Sequence, residues 1–393
     1  MSAEDARERL RTAAWLQRDE TRAIFELLEG AEGRIRAVGG VVRDTLLGRA
    51  GEAFDIDFAT ELLPNDVMAR AQRAGIAAYP TGIEHGTITL RIGDETAEVT
   101  TLREDVETDG RHAVVKFGTD WRRDAERRDF TLNALYAGMD GEVFDPLGGL
   151  EDCLAQRVRF IGDPDQRIAE DRLRVYRFFR FSTSHGQAAE GKFDPDGLAA
   201  CRRAAGSLGG LSAERVGVEM RRLLALPRIT PTLATMTDAR ILALPTAALD
   251  MLAGYERMGR PTLTGRLAIL IDATNVKTVQ AAWRLSNEEI DSAVRVLGAA
   301  ELLRGKKLNE AVYRFRDVLE DGLVLAALKD GWSEQERAEV RAYIEPLLAQ
   351  PWRFPLSGDD LIERGFRPGK ELGVELARLE KLWIDSGFAL DRE

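Results

Sequence analysis

Apolar positions near the start of the chain fall at helical spacing. Ala14, Leu16, Ile24, Leu27 and Leu28 predict that residues 1 to about 30 are helical. From residue 34 to about 158 the pattern changes. Runs with β-like alternation occupy 34–38, 53–59, 86–92, 96–102 and 141–144, with helical patterns at 42–47 and 65–74 between them. Strands interleaved with helices predict a small α/β domain. Beyond about residue 161 strand signals nearly vanish. Leu, Ala, Arg and Glu dominate there, punctuated near Pro227, Pro231, Pro245, Pro261, Pro351 and Pro355. That half is expected to be a chain of packed helices without a repeat of fixed period.

Bulk properties narrow the class. A chain of 393 residues is long enough for two to four domains, and 44% apolar residues can fill their cores. Its two cysteines, Cys153 and Cys201, argue against a disulfide scaffold and fit a reducing cytosol. Residues 1–11 are polar and hold no apolar signal region, and no stretch approaches the roughly 20 apolar residues of a membrane helix. A cytoplasmic protein away from the membrane is expected. The net charge of −11 speaks against a broadly basic nucleic-acid binder. Yet Arg157, Arg159, Arg167, Arg172, Arg174, Arg177 and Arg180 crowd one short stretch, where a local basic cleft can serve RNA.

Five strings carry candidate chemistry. Val38-Gly39-Gly40-Val41-Val42-Arg43-Asp44 follows a strand pattern and opens a helix pattern. Glycines there let a backbone approach phosphate, and Arg43 can fork onto it; a plain strand-to-helix turn is the other reading. In Phe54-Asp55-Ile56-Asp57-Phe58, alternation puts both aspartates on one strand face and the apolar residues on the other. Two such carboxylates repel unless a cation sits between them, and oxygen ligands suit magnesium. Glu98, on the strand pattern 96–102, is the candidate third carboxylate. Arg127-Arg128-Asp129-Phe130-Thr131-Leu132-Asn133-Ala134 reads as a helix start. There Arg128 is a candidate triphosphate contact, Asp129 a candidate cap or orienter of an arginine, and Thr131 and Asn133 are candidates to reach a ribose hydroxyl; a solvated charged helix is the other reading. In the run 169–181, Asp171, Arg174, Arg177 and Arg180 fall at successive i,i+3 positions of one helix. A carboxylate beside a guanidinium can read a base edge; a salt-bridged amphipathic helix is the alternative.

Taken in order, these strings resemble the class II CCA-adding enzymes and the closely related bacterial poly(A) polymerases. The resemblance is strong over residues 34 to about 185 and faint beyond. It implies an α+β fold: a polymerase-β-like head at 1–160, a helical neck with a nucleobase-selecting helix at 161–235, and a helical, tRNA-binding body and tail at 236–393. It implies that Gly40, Arg43 and Arg128 contact the nucleotide and that Asp55 and Asp57 bind Mg2+. Asp171 and Arg174 would act as a protein template for CTP or ATP, with Arg177 and Arg180 completing the pocket. Glu98 carries over on a looser motif. The partner would be the 3′ end of the tRNA acceptor stem.

Residues 104–120, with a turn at Asp109-Gly110, resemble a flexible loop that full CCA-adding enzymes keep. Ser357 is a helix-cap candidate. The turn Pro368-Gly369-Lys370 can meet a tRNA phosphate or simply join two packed helices. Two alternatives stay open: a poly(A) polymerase or A-only adding enzyme, and a tRNA-binding protein with an inactive head. An added metal phosphohydrolase is not expected, because the only histidines are His85, His112 and His185.

Overall fold

The computed structural model describes residues 2–49, 56–108 and 113–389. The chain divides into two compact units, Met1–Ser212 with Pro231–Leu242, and Ala213–Thr230 with Ala243–Glu393.

The first unit is built on a mixed sheet. Its strands are β1 (Ile35–Val38), β2 (Ile56–Thr60), β3 (Ala77–Gly82), β4 (Thr87–Ile92), β5 (Glu95–Thr101), β8 (Tyr136–Ala137) and β9 (Val143–Phe144). They lie in the order β3-β4-β5-β2-β1-β8-β9. The pair β2–β5 is parallel and its neighbours are antiparallel. Alternation sets the faces. Ile56 and Phe58 are buried while Asp57 between them is exposed. Ala97, Val99 and Thr101 are buried while Glu98 is exposed. Phe58 packs edge-on against Phe25 of the N-terminal helix Asp19–Leu27, ring centroids 5.3 Å apart. The other face of β2 is covered from Ala59 onward, where Ala59, Val38, Leu102, Trp121 and Tyr136 share a core. Asp57 therefore stands where that face opens to solvent.

The expected strands at 34–38, 86–92, 96–102 and 141–144 correspond to β1, β4, β5 and β9. The expected strand 53–59 is seen as β2 from Ile56 onward; its earlier residues lie outside the described ones. β3 was not anticipated. Pro80 weakens its strand pattern but is tolerated because β3 is an edge strand. The segment read as a polar loop contains β6 (Arg103–Thr108) and β7 (Ala113–Phe117), which pair as a separate two-stranded ribbon with an irregularity between Asp105 and Glu107. The acidic run lacks the apolar alternation that marks a strand in a sequence, so its pairing was not legible there. The turn expected at Asp109-Gly110 lies outside the described residues.

Beyond β9 every described element is helical. In the second unit the helices Asn287–Arg304 and Leu319–Asp330 approach closely: a Cβ on Gly322 would meet Ala299 at 2.6 Å. Arg266 is fully buried there. Its guanidinium donates to the carbonyls of Leu224 (2.5 Å), Leu226 (2.5 Å) and Pro227 (2.7 Å), and to Glu256 (2.9 Å). Those acceptors offset the cost of burying the charge. Ser357 caps the helix Gly358–Glu363 in a reciprocal capping box with Asp360, as its sequence position suggested. No helix among the described residues is long and apolar enough to cross a membrane.

Candidate active site

The site begins with three adjacent strands. In the parallel register Asp57 of β2 lies beside Glu98 of β5. Neighbouring strands are about 4.8 Å apart, so the two exposed side chains share one small patch of surface. On the other flank Ala37 of β1 pairs with Phe58, and the next step along the ladder sets Val38 beside Asp57. The chain then turns at Gly39, whose φ of +74° favours glycine, and enters the helix Gly40–Leu46. The carboxylates and the glycine turn thus meet at one sheet edge. Asp55 lies outside the described residues.

The donor set fits a hard divalent cation, because adjacent exposed carboxylates offer only oxygen and repel each other without one. Among the described residues no group of three or more His, Cys, Asp or Glu side chains is placed to hold a metal. Asp57 and Glu98 make two.

Arg128 approaches the glycine turn from the next layer. Its Nη1 lies 3.8 Å from where a Gly39 Cβ would stand. Nη2 donates to Asp124 at 3.3 Å, while its buried Nε meets no acceptor among the described residues. Burial opposes the Arg128 charge; Tyr136 and Asp124 outweigh burial and hold the guanidinium charged. Asp124 itself is buried, which would raise its carboxyl, but Arg128, Arg127 and the Tyr136 hydroxyl keep it below the usual range. Asp124 escaped the sequence reading. Its spacing of four from Arg128 and three from Arg127 on the helix Trp121–Glu126 and its C-cap was the available signal.

The string 127–134 is not a helix start. It follows the end of Trp121–Glu126 and holds only a short 3₁₀ turn, Thr131–Asn133, before β8. Thr131 and Asn133 are buried rather than presented to a ribose. Thr131 donates to Asp152 at 2.7 Å, and Asn133 donates to Asp129 at 3.0 Å. Asp129 does orient an arginine: Arg177 donates to it through Nε (2.8 Å) and Nη2 (2.6 Å). Arg43 also turns inward. Its guanidinium donates to Asn133 Oδ1 at 2.6 Å and grips Asp44 at 2.9 and 3.0 Å. A Cβ on Gly40 would lie 3.8 Å from Arg43 Nη2.

Asp171 and Arg174 do not share one helix. The helix Pro164–Glu170 ends at Asp171, whose backbone is extended, and a second helix spans Arg174–Ser184. The Asp171 carboxylate accepts from the Leu173 N–H at 3.1 Å, and its carbonyl from the Arg174 N–H at 3.0 Å. An Asp that satisfies the free N–H groups of a new turn competes with helix continuation, which accounts for the break. Arg174 Nη1 donates to Glu170 and to the Arg167 carbonyl, both at 2.7 Å. Arg177 and Arg180 follow on the second helix, both against the Phe181 ring, at 5.3 and 4.1 Å. Glu170, unremarked as an acceptor in the sequence, is the carboxylate that holds Arg174.

A mixed sheet with adjacent carboxylates beside a glycine turn, followed by an arginine-lined helix, defines a nucleotidyltransferase head. The family described as the poly A polymerase head domain matches residues 35–159. CCA tRNA nucleotidyltransferase 1, mitochondrial, of Danio rerio is 34% identical over 389 residues, covering 94% of this chain and 88% of that protein. A CCA-adding enzyme of Limosilactobacillus fermentum is 30% identical, covering 95% and 94%. Among solved structures, the Bacillus stearothermophilus CCA-adding enzyme in complex with CTP superposes with a TM-score of 0.75 at 26% identity, covering 93% of each chain. The chain belongs to the family of CCA-adding enzymes, the CCA tRNA nucleotidyltransferases.

Proposed function

We propose that this protein adds C, C and A to the 3′ end of tRNA from CTP and ATP without a nucleic-acid template. The observation that carries the chemistry is the in-register pair of exposed carboxylates, Asp57 and Glu98, at the sheet edge where the Gly39-Gly40 turn begins. The choice of tRNA, and of C and A, rests on the relatives' names.

In this reading Asp55 and Asp57 hold Mg2+, with Glu98 as a third carboxylate. Magnesium, when bound, supplies Lewis-acid activation of the tRNA hydroxyl and neutralises charge on the triphosphate. The chain's own residues position the reactants. The turn at Gly40 admits the phosphates without a side chain in the way. Arg128 contacts the triphosphate, with Tyr136 and Asp124 holding its guanidinium charged. Arg43, gripped by Asp44 and Asn133, fixes the turn from beneath and contacts the nucleotide. Asp171 and Arg174 select the base; a mismatched base strands a buried hydrogen bond, which is how side chains reject it. Arg177 and Arg180 complete the pocket.

We assign head, neck, and body with tail to 1–160, 161–235 and 236–393. The last part binds tRNA, with the Pro368-Gly369-Lys370 turn as a phosphate contact. The two cysteines are unpaired, which fits a reducing compartment and the cytoplasmic placement.

The test is sequencing of the product made from tRNA lacking its terminus, with CTP and ATP present. Addition of C, C and A supports the proposal. A long A tail, or A without C, makes the protein a poly(A) polymerase or A-only enzyme. No addition makes it a tRNA-binding protein with an inactive head.

A further inference from the structure

A closed circuit of hydrogen bonds joins the glycine turn to both ends of the helix Arg174–Ser184. At the helix C-terminus His185 Nε2 meets Asp44 Oδ1 at 3.0 Å. Asp44 is gripped by Arg43, Arg43 donates to Asn133, Asn133 donates to Asp129, and Asp129 accepts Arg177 of the same helix. Phe181 fills the middle of the circuit. Its ring lies 5.4 Å from the Arg43 guanidinium carbon, 5.3 Å from that of Arg177 and 5.6 Å from the His185 ring. The Arg49 guanidinium adds a second tie, donating to the Ser184 carbonyl at 2.7 Å.

The chemistry of the partners fixes the histidine's tautomer. Burial would raise the Asp44 carboxyl, but hydrogen bonds from His185 and Arg43 hold it down at about 2. Burial keeps the imidazole neutral, below its usual range, against the pull of Asp44. An ionised carboxylate only accepts, so Nε2 carries the proton. Nδ1 is then left to accept from the Ser184 hydroxyl, 2.6 Å away. Each polar atom of the ring has one role, and rotation of the ring breaks both bonds.

We propose that His185 is a positioning residue for nucleotide selection: it anchors the C-terminal end of the arginine-bearing helix to Asp44, and so sets Arg177 and Arg180 against the glycine turn. Two anchors define a helix's orientation where one leaves it a pivot. Arg177–Asp129 is the anchor at the N-terminal end; at the C-terminal end His185–Asp44 is the side-chain tie to the glycine turn, beside the Arg49 bond to the Ser184 carbonyl. The inference rests on the proposed reading of this helix as the base selector.

The experiment measures, in the full-length protein, steady-state addition to tRNA ending in CC, with ATP and CTP each varied. His185→Ala is expected to raise the ATP KM and reduce ATP-over-CTP selectivity about three- to thirtyfold, the range for residues in a coupled network. The KM for tRNA stays within about twofold of the parent. His185→Gln, which keeps a side-chain donor toward Asp44, restores part of the selectivity. His185→Ala and Asp44→Ala combined are expected to lose no more than the larger single effect. Selectivity unchanged in His185→Ala overturns the proposal. So does a lowered melting temperature with selectivity intact, which marks a role in stability alone. Arg174→Ala is the companion arm. If it alters selectivity while His185→Ala does not, this inference fails and the base-selector reading stands. If neither alters it, both fail.

Discussion

Arg177 lies with two nitrogens on one carboxylate oxygen of Asp129, at 2.8 and 2.6 Å, and so ties the arginine helix to the turn that follows Arg128. Asp129 is buried, which would raise its carboxyl; Arg177, the Asn133 amide and the Phe130 N–H together hold it low. Asp129→Ala leaves a guanidinium without its buried partner. Because the Arg177 side chain keeps partial exposure, the loss should be about 1–3 kcal/mol of stability, seen as a lower denaturant midpoint. An unchanged midpoint would show the pair to be incidental. The same bond implies acid sensitivity. The folded value is depressed, so its contribution is full above the ordinary carboxylate range and is lost as pH falls below it.

Asp44 gives the acid limit a number. Its carboxyl drops from 3.8 to about 2 in the fold. The stabilisation is therefore present above about 4 and fades as pH falls toward 2. Asp44→Asn should be less stable than the parent at pH 7, with the gap narrowing across that window. Denaturant midpoints measured from pH 7 to pH 2.5 check it. A gap independent of pH would remove the ionised Asp44 from the account.

Arg174→Ala should blur the choice between CTP and ATP more than it weakens tRNA binding. Loss of one buried donor to a base edge is worth about 1–3 kcal/mol of discrimination. Competition assays with both nucleotides, alongside tRNA KM values, separate the two effects. Equal loss of every activity with selectivity retained would count against a templating role.

The sequence made the faces of the sheet plain. Asp57 sits between Ile56 and Phe58, and Glu98 between Ala97 and Val99, so alternation alone put the acids outside. Which strands lie side by side was not readable, and the pairing of β2 with β5 is what brings Glu98 to Asp57. The helix break at Asp171 was hidden because the i,i+3 spacing of its arginines continues smoothly through it. Only the capping bond to Leu173 reveals the stop. Arg43 was legible as a fork for phosphate, but not its inward bond to Asn133, 90 residues away. His185 carried no motif at all, and its role emerges from Asp44, 141 residues distant.

Arg266 provides a prediction for the second unit. It is buried among three carbonyls and Glu256. Arg266→Ala strips four acceptors of their donor and should cost about 3–5 kcal/mol. Circular dichroism melting should record a fall of several degrees. A melting temperature equal to the parent's would mean that water replaces the guanidinium without penalty.

The most direct test of the central claim is the rate of C addition to tRNA lacking its terminus by Asp57→Ala, at saturating Mg2+. Removal of a carboxylate that holds the catalytic cation should lower the rate by at least about a thousandfold, with the melting temperature unchanged. C addition by Asp57→Ala at the parent's rate would contradict the account.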